Sequence, residues 1–247
     1  MKLYLVGDST VCNYDCDVSD LKARNGYGMR VKEYLNGVDV VNLALSGRSS
    51  RSFTTEPEYS VLKSRLSSGD YLVIAFGHND QKKDERFSDP TLPVTDPASF
   101  KRYLYEFYIK LAVSRGATPV ICTPIGRLRD KSDYTGVGGH ITVTDGVFAG
   151  GDYPKAIRDL AKECGVALVD MTAATIEYYK NTPIKTLYNL FADDEKTPGG
   201  VDHTHLNGYG ARFMAYTFCR LLKQTDCPLK DYIDDASLCP PHVQLFR

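Results

Sequence analysis

Apolar residues in this chain gather into five short runs: Leu3 to Val6, Val38 to Ala44, Tyr71 to Phe76, Thr118 to Thr123 and Val166 to Met171. Each run is close to continuous rather than alternating, as expected of strands buried on both faces of a parallel sheet. The stretches between them carry helical spacing. Tyr27 to Leu35 ends at Asn36-Gly37, Pro57 to Leu66 is closed by Ser-Ser-Gly-Asp, and Tyr153 to Cys164, Thr172 to Lys180 and Leu206 to Leu222 follow. The longest, Pro97 to Arg115, puts Phe100, Leu104, Phe107 and Leu111 on one face, with Asp96 as a cap before an N1-like proline. Parallel strands need crossover connections, and these are right-handed. The alternation therefore predicts a three-layer α/β/α fold around a doubly wound five-stranded parallel sheet in the order 2-1-3-4-5.

A length of 247 residues suits one such core, so residues 1–247 read as a single domain. Residues 226–247, with three prolines, read as an irregular tail wrapping the surface. Thirty Lys and Arg are interspersed with thirty-one Asp and Glu, which argues against a nucleic-acid partner or a polybasic membrane anchor. No apolar run reaches the length of a membrane span, and the first is interrupted by Gly7-Asp8. The start resembles neither a transmembrane helix nor an intact signal peptide. The expected location is cytoplasmic, or secreted only if a leader was removed. Seven cysteines cannot all pair within one chain. Cys122, Cys164 and Cys219 lie in apolar segments and read as buried thiols, Cys12 and Cys16 lack the second pair a zinc site needs, and Cys227 and Cys239 could pair only in an oxidising compartment.

Open α/β sheets place ligands at the carboxyl edge of their strands. The first strand delivers Gly7-Asp8-Ser9-Thr10 there, the second Leu45-Ser46-Gly47-Arg48-Ser49-Ser50, the third Gly77-His78-Asn79-Asp80. A serine hydroxyl needs a base to become a nucleophile, and Asp202-His203-Thr204-His205 can supply one. An aspartate three residues before a histidine shares its side of a helical turn, so Asp202 is expected to orient His205 while the other ring nitrogen faces Ser9. His203, adjacent to Asp202, reads as structural or substrate-facing. The backbone N–H groups of Ser9 and Gly47 and the Asn79 amide are candidate donors to an oxyanion.

Gly7-Asp8-Ser9, Gly47, Gly77-x-Asn79-Asp80 and Asp202-x-x-His205 stand in the order of the four blocks of the SGNH (GDSL-type) hydrolases, which the sequence resembles over nearly its whole length. The resemblance implies a flavodoxin-like fold, no metal and no cofactor. It carries the nucleophile to Ser9, the oxyanion hole to Ser9, Gly47 and Asn79, and the rest of the triad to Asp202 and His205. GDST at 7–10, GHND at 77–80, GDYPKAIRDLA at 151–161 and DHTHLNGYGA at 202–211 are most similar to the rhamnogalacturonan acetylesterase branch, which removes acetyl groups from pectic sugars. The expected partner is thus an acetylated carbohydrate, with nothing in the sequence to fix the oligomeric state.

Competing readings leave marks of their own. No G-x-S-x-G elbow, G-x-G-x-x-G or P-loop lysine motif follows any strand. Within esterases the rivals are a broad short-chain carboxylesterase or thioesterase and an acetylxylan esterase. Outside enzymes the rival is a carbohydrate-binding protein with a silent site. Because pectic sugars carry uronates and arginine matches a carboxylate two-pronged, Arg48, Arg51, Arg127 and Arg129, with His78 and His203, are expected substrate contacts. A histidine base also predicts activity that falls on the acid side.

Overall fold

The computed structural model describes residues 1–129 and 148–241. Its sheet comprises β1 (Lys2–Gly7), β2 (Asp39–Asn42), β3 (Tyr71–Ala75), β4 (Thr118–Cys122) and β5 (Ala167–Val169), all parallel, in the order β2-β1-β3-β4-β5. Successive side chains of a strand leave on opposite faces, so each central strand feeds two cores. Leu3, Leu5, Val73, Val120 and Val169 pack with Tyr27, Val31, Met214 and Phe218. Tyr4, Val6, Leu72, Ile74 and Ile121 pack with Leu62, Phe100, Leu104, Ile157 and Leu160. The second layer is α1 (Pro57–Arg65), α2 (Phe100–Leu104), α3 (Lys110–Ser114) and α4 (Tyr153–Cys164), and the first contains α5 (Met171–Asn181) and α7 (Gly208–Leu222), with the short α6 (Ile184–Tyr188) between them in the chain. Among the described residues no helix is long and apolar enough to cross a membrane.

Several local expectations are revised. The cap of the long helical stretch is Ser99, whose hydroxyl accepts from Arg102 N–H, and Asp96 instead closes a turn by accepting from Ala98 N–H at 2.8 Å. Residues Tyr105–Ile109 form a π-turn between α2 and α3. Tyr27 to Leu35 folds as two 3₁₀ turns, Tyr27–Met29 and Val31–Tyr34. The reason is close approach: a Cβ at Gly28 would stand 2.4 Å from the Val11 carbonyl oxygen, so this segment is pressed against the loop after β1. The tail does more than wrap the surface, since Leu229 is fully buried and Ile233 bridges to Leu35. All seven cysteines are free thiols, Cys227 buried and Cys239 exposed. Most of the glycine-rich loop, residues 130–147, lies outside the described residues.

The structure adds a hairpin that the sequence pattern does not show. β6 (Phe191–Asp193) pairs antiparallel with β7 (Val201–Leu206), where the spacing predicts a helical turn. Phe191 pairs with Leu206 and Asp193 with Val201, so two residue steps on β6 face five on β7. In a regular strand, positions three apart point to opposite faces. The surplus residues bulge instead, and the Asp202 Oδ1 gathers the bulge by accepting from Thr204 N–H at 2.7 Å and His205 N–H at 2.8 Å.

Candidate active site

β1 ends at Gly7, and the turn beyond it is tied by Asp8. Its Oδ1 accepts from Thr10 N–H at 2.9 Å and Thr10 Oγ at 2.8 Å, while its main-chain oxygen accepts from Val11 and Cys12 N–H. Asp8 is buried, and burial pushes its carboxyl above the ordinary aspartate value. Tyr14 Oη donates to the Ser9 carbonyl at 2.8 Å, fixing the backbone of the residue between these ties. Ser9 is left with 6 % of its surface exposed.

The bulge in β7 brings the imidazole to that hydroxyl. His205 Nε2 stands 2.9 Å from Ser9 Oγ across 196 residues of sequence, and His205 Nδ1 stands 2.6 Å from Asp202 Oδ2. With Nδ1 protonated and donating to the carboxylate, Nε2 is the acceptor for the serine proton. Burial works to raise the Asp202 carboxyl. The hydrogen bond and charge of His205 and the two N–H donors outweigh it and hold the group well below the usual carboxylate range. The spacing Asp-x-x-His thus gives the expected result by a different backbone.

The proposed oxyanion donors arrive on neighbouring loops. Gly47 has φ +75°, a left-handed conformation that favours glycine, and it lies on the loop following β2. Asn79 is 4 % exposed and donates through Nδ2 to the Arg48 carbonyl at 3.1 Å, which locks its amide against that loop. Asp80, fully buried, is the fastener beneath. Its Oδ1 accepts from Ser50 N–H at 2.9 Å, Ser50 Oγ at 2.5 Å and Ser88 Oγ at 3.0 Å. Tyr108, in the π-turn, donates to the Ser50 carbonyl at 2.7 Å, and Tyr153 donates to the carbonyls of Asp80 and Ser88 at 2.9 Å. Burial pushes the Asp80 carboxyl up to about 7.

The expected substrate-facing residues fare unequally. Arg48 is ion-paired with Glu56 at 2.5 Å, and Arg51 donates to the Phe87 carbonyl at 3.2 Å while its head lies 5.9 Å from the Tyr103 ring centroid. Arg127 is a strut: it donates to Thr204 Oγ1 at 2.5 Å and to the His78 carbonyl at 3.4 Å, joining the β7 bulge to the loop bearing Asn79. Burial lowers its guanidinium to about 10. Leu128 N–H donates to the His203 carbonyl at 2.8 Å, so the same segment also carries the backbone of His203. His78 is 3 % exposed and so is shut off from solvent, and Arg129 is the last described residue before the glycine-rich loop. Arg24 was missed. It lies in a polar stretch with no periodicity, yet its Nη2 stands 3.3 Å from Asp202 Oδ2. Tyr14 and Ser88 escape the sequence reading for a related reason: nothing in local sequence marks a hydroxyl whose partner is set by the fold. Among the described residues, no group of three or more His, Cys, Asp or Glu is arranged to hold a metal ion.

A carboxylate, an imidazole and a serine hydroxyl in line at the carboxyl edge of an open parallel sheet are the working parts of a serine-type ester hydrolase. The comparisons agree with the geometry: a model of the GDSL-like lipase/acylhydrolase family matches residues 5–213, and the chain belongs to that family of carboxylic ester hydrolases, also called SGNH hydrolases. The rhamnogalacturonan acetylesterase RhgT of Bacillus subtilis is 32 % identical over 240 residues, covering 94 % of each chain. A probable rhamnogalacturonan acetylesterase of the same organism, YesY, is 29 % identical over 94 % of this chain and 96 % of its own. Among solved structures, the YxiM protein of B. subtilis superposes with a TM-score of 0.68 at 26 % identity over 90 % of this chain, which spans only 56 % of that longer one. An acetylxylan esterase variant from Geobacillus stearothermophilus, at 18 % identity and a TM-score of 0.59 over 90 % of this chain and 93 % of its own, shares the fold.

Proposed function

We propose that this protein is a carbohydrate acetylesterase that removes acetyl groups from acetylated pectic oligosaccharides, with Ser9 as nucleophile, His205 as base, Asp202 as its orienting carboxylate, and Ser9, Gly47 and Asn79 as oxyanion donors. The observation that carries the reading is the unbroken chain from Asp202 Oδ2 through His205 to Ser9 Oγ, at 2.6 and 2.9 Å. The names of two of its bacterial relatives, RhgT and YesY, which align over nearly their full lengths, support the choice of sugar ester.

In the first step Ser9 Oγ attacks the acetyl carbonyl as His205 Nε2 takes its proton, and the imidazolium is held by Asp202. The tetrahedral oxyanion is met by N–H groups fixed in advance by the Asp80 and Arg48 contacts, so little reorganisation is needed when charge develops. The imidazolium then protonates the departing sugar oxygen, leaving acetyl-Ser9. A water that gives its proton to the same nitrogen attacks that ester, and collapse of the second tetrahedral intermediate returns the proton to Ser9 and releases acetate.

Fluorophosphonate labels an activated serine. Labelling of the wild type that disappears in Ser9→Ala, with a loss in kcat on the order of 10⁶-fold, is the expected outcome. Rates on acetylated pectic oligosaccharides, acetylated xylan and an aryl acetate, measured on one preparation, test the substrate. A higher kcat/KM on acetylxylan than on the pectic ester would overturn that part.

A further inference from the structure

We infer that Arg24 forms an anion subsite beside the triad that takes the carboxylate of an acidic sugar adjoining the acetylated one. This rests on the carbohydrate reading above and adds the charge that the substrate must carry.

Arg24 is built in at its backbone and open at its head. Its main chain bridges to Asn207, its carbonyl accepts from Cys16 Sγ at 3.5 Å, and the next residue donates from Asn25 N–H to Leu206 O at 3.0 Å. Its side chain is nonetheless 42 % exposed. The one hydrogen bond of its guanidinium among the described residues is the 3.3 Å contact from Nη2 to Asp202 Oδ2. That contact is long and single-pronged, whereas a guanidinium meets a carboxylate best through two parallel donors. Asp202 has little need of it, since Oδ2 already takes His205 Nδ1 at 2.6 Å and Oδ1 takes two backbone N–H groups. Nε and Nη1 make no hydrogen bond among the described residues, and Nη2 has a second N–H, so one parallel pair of donors, Nη2 with either Nε or Nη1, is open to a ligand. Three of the four arginines expected at this edge are committed: Arg48 to Glu56, Arg51 to Phe87 and Tyr103, and Arg127 to the strut.

Charge gives the subsite its chemistry. At rest Arg24, Asp202 and a neutral His205 sum to zero. When His205 takes the Ser9 proton, its new positive charge is matched by the oxyanion formed on the substrate, so the Arg24 guanidinium attracts a neighbouring carboxylate in the bound state and the transition state alike. That uniform attraction lowers KM, so discrimination is expected in kcat/KM.

The experiment compares two acetylated galacturonide oligosaccharides that differ only in whether the uronate neighbouring the acetylated sugar is free or methyl-esterified. The wild type is expected to prefer the free acid about tenfold, and the preference should fade as salt rises. In Arg24→Gln the ratio should collapse to near one, and Arg24→Lys should restore part of it. If Arg24→Gln lowers both rates by a common factor and leaves the ratio intact, Arg24 only props Asp202 and the inference fails, as it does if the wild type shows no preference. Galacturonate as an inhibitor of aryl acetate hydrolysis separates this from the carbohydrate reading: inhibition weakened about tenfold in Arg24→Gln sustains the subsite whatever the natural ester. Equal inhibition of both forms overturns it.

Discussion

Asp80→Asn isolates a cost that the fold carries in order to tie Ser50 and Ser88 to the loop after β3. The carboxyl is fully buried, three donors converge on Oδ1, and Oδ2 has no hydrogen-bond partner among the described residues. Burial raises its pKa to about 7, against an unfolded value of about 3.9. The native state therefore binds more protons than the unfolded chain between those values. Stability contributed by the protonated carboxyl is complete below pH ~4 and is lost as pH rises through about 7. Three pH units at 1.36 kcal/mol each amount to about 4 kcal/mol, of which about 3 kcal/mol falls between pH 5 and 8. The amide in the variant keeps an acceptor for Ser50 and Ser88 and cannot ionise, but it buries an NH₂ group at a cost of about 1–3 kcal/mol that does not vary with pH. Urea unfolding of both proteins from pH 5 to 8 should show the wild type losing about 3 kcal/mol relative to the variant across the series. Parallel curves would mean that Asp80 stays charged in the fold, and the reasoning would be refuted.

Asn79→Ala removes a candidate oxyanion donor and the tie to the Arg48 carbonyl together. It is expected to lower kcat by about 10²–10³-fold with KM little changed, and steady-state kinetics on an aryl acetate would show it; a rise in KM alone contradicts the assigned role. Because the surroundings of Asp202 hold its carboxyl well below the usual range, it stays ionised throughout the acid limb of the pH–rate profile. A plot of log kcat/KM against pH should therefore fall with unit slope, one proton being taken by the imidazole, whereas a slope of two shows the carboxyl titrating as well.

The sheet was legible because its information is local: β1 and β3 are continuous apolar runs, and such runs have few homes other than the interior of a parallel sheet. The ends of those runs, Gly7-Asp8-Ser9 and Gly77-His78-Asn79, then follow from topology alone. The β6–β7 hairpin was not legible, because β6 has only three residues and β7, reading Val-Asp-His-Thr-His-Leu, has no continuous apolar run. Sequence spacing places Asp202 and His205 side by side through a helical turn, and the fold does so through a bulge held by the Asp202 carboxylate. The same pairing arises because more than one backbone brings an imidazole and a carboxylate three residues apart into contact. The substrate arginines show the opposite case. Arg48 and Arg51 stand near the expected loops, yet their heads are bound to Glu56 and to Phe87, while Arg24 reaches Asp202 from a segment with no pattern at all. A guanidinium on a long flexible stem can serve partners several residues from its own backbone, so sequence position says little about where its charge is delivered. Short side chains at strand ends are placed by their order along the chain; long cationic side chains are placed only once their partners are known.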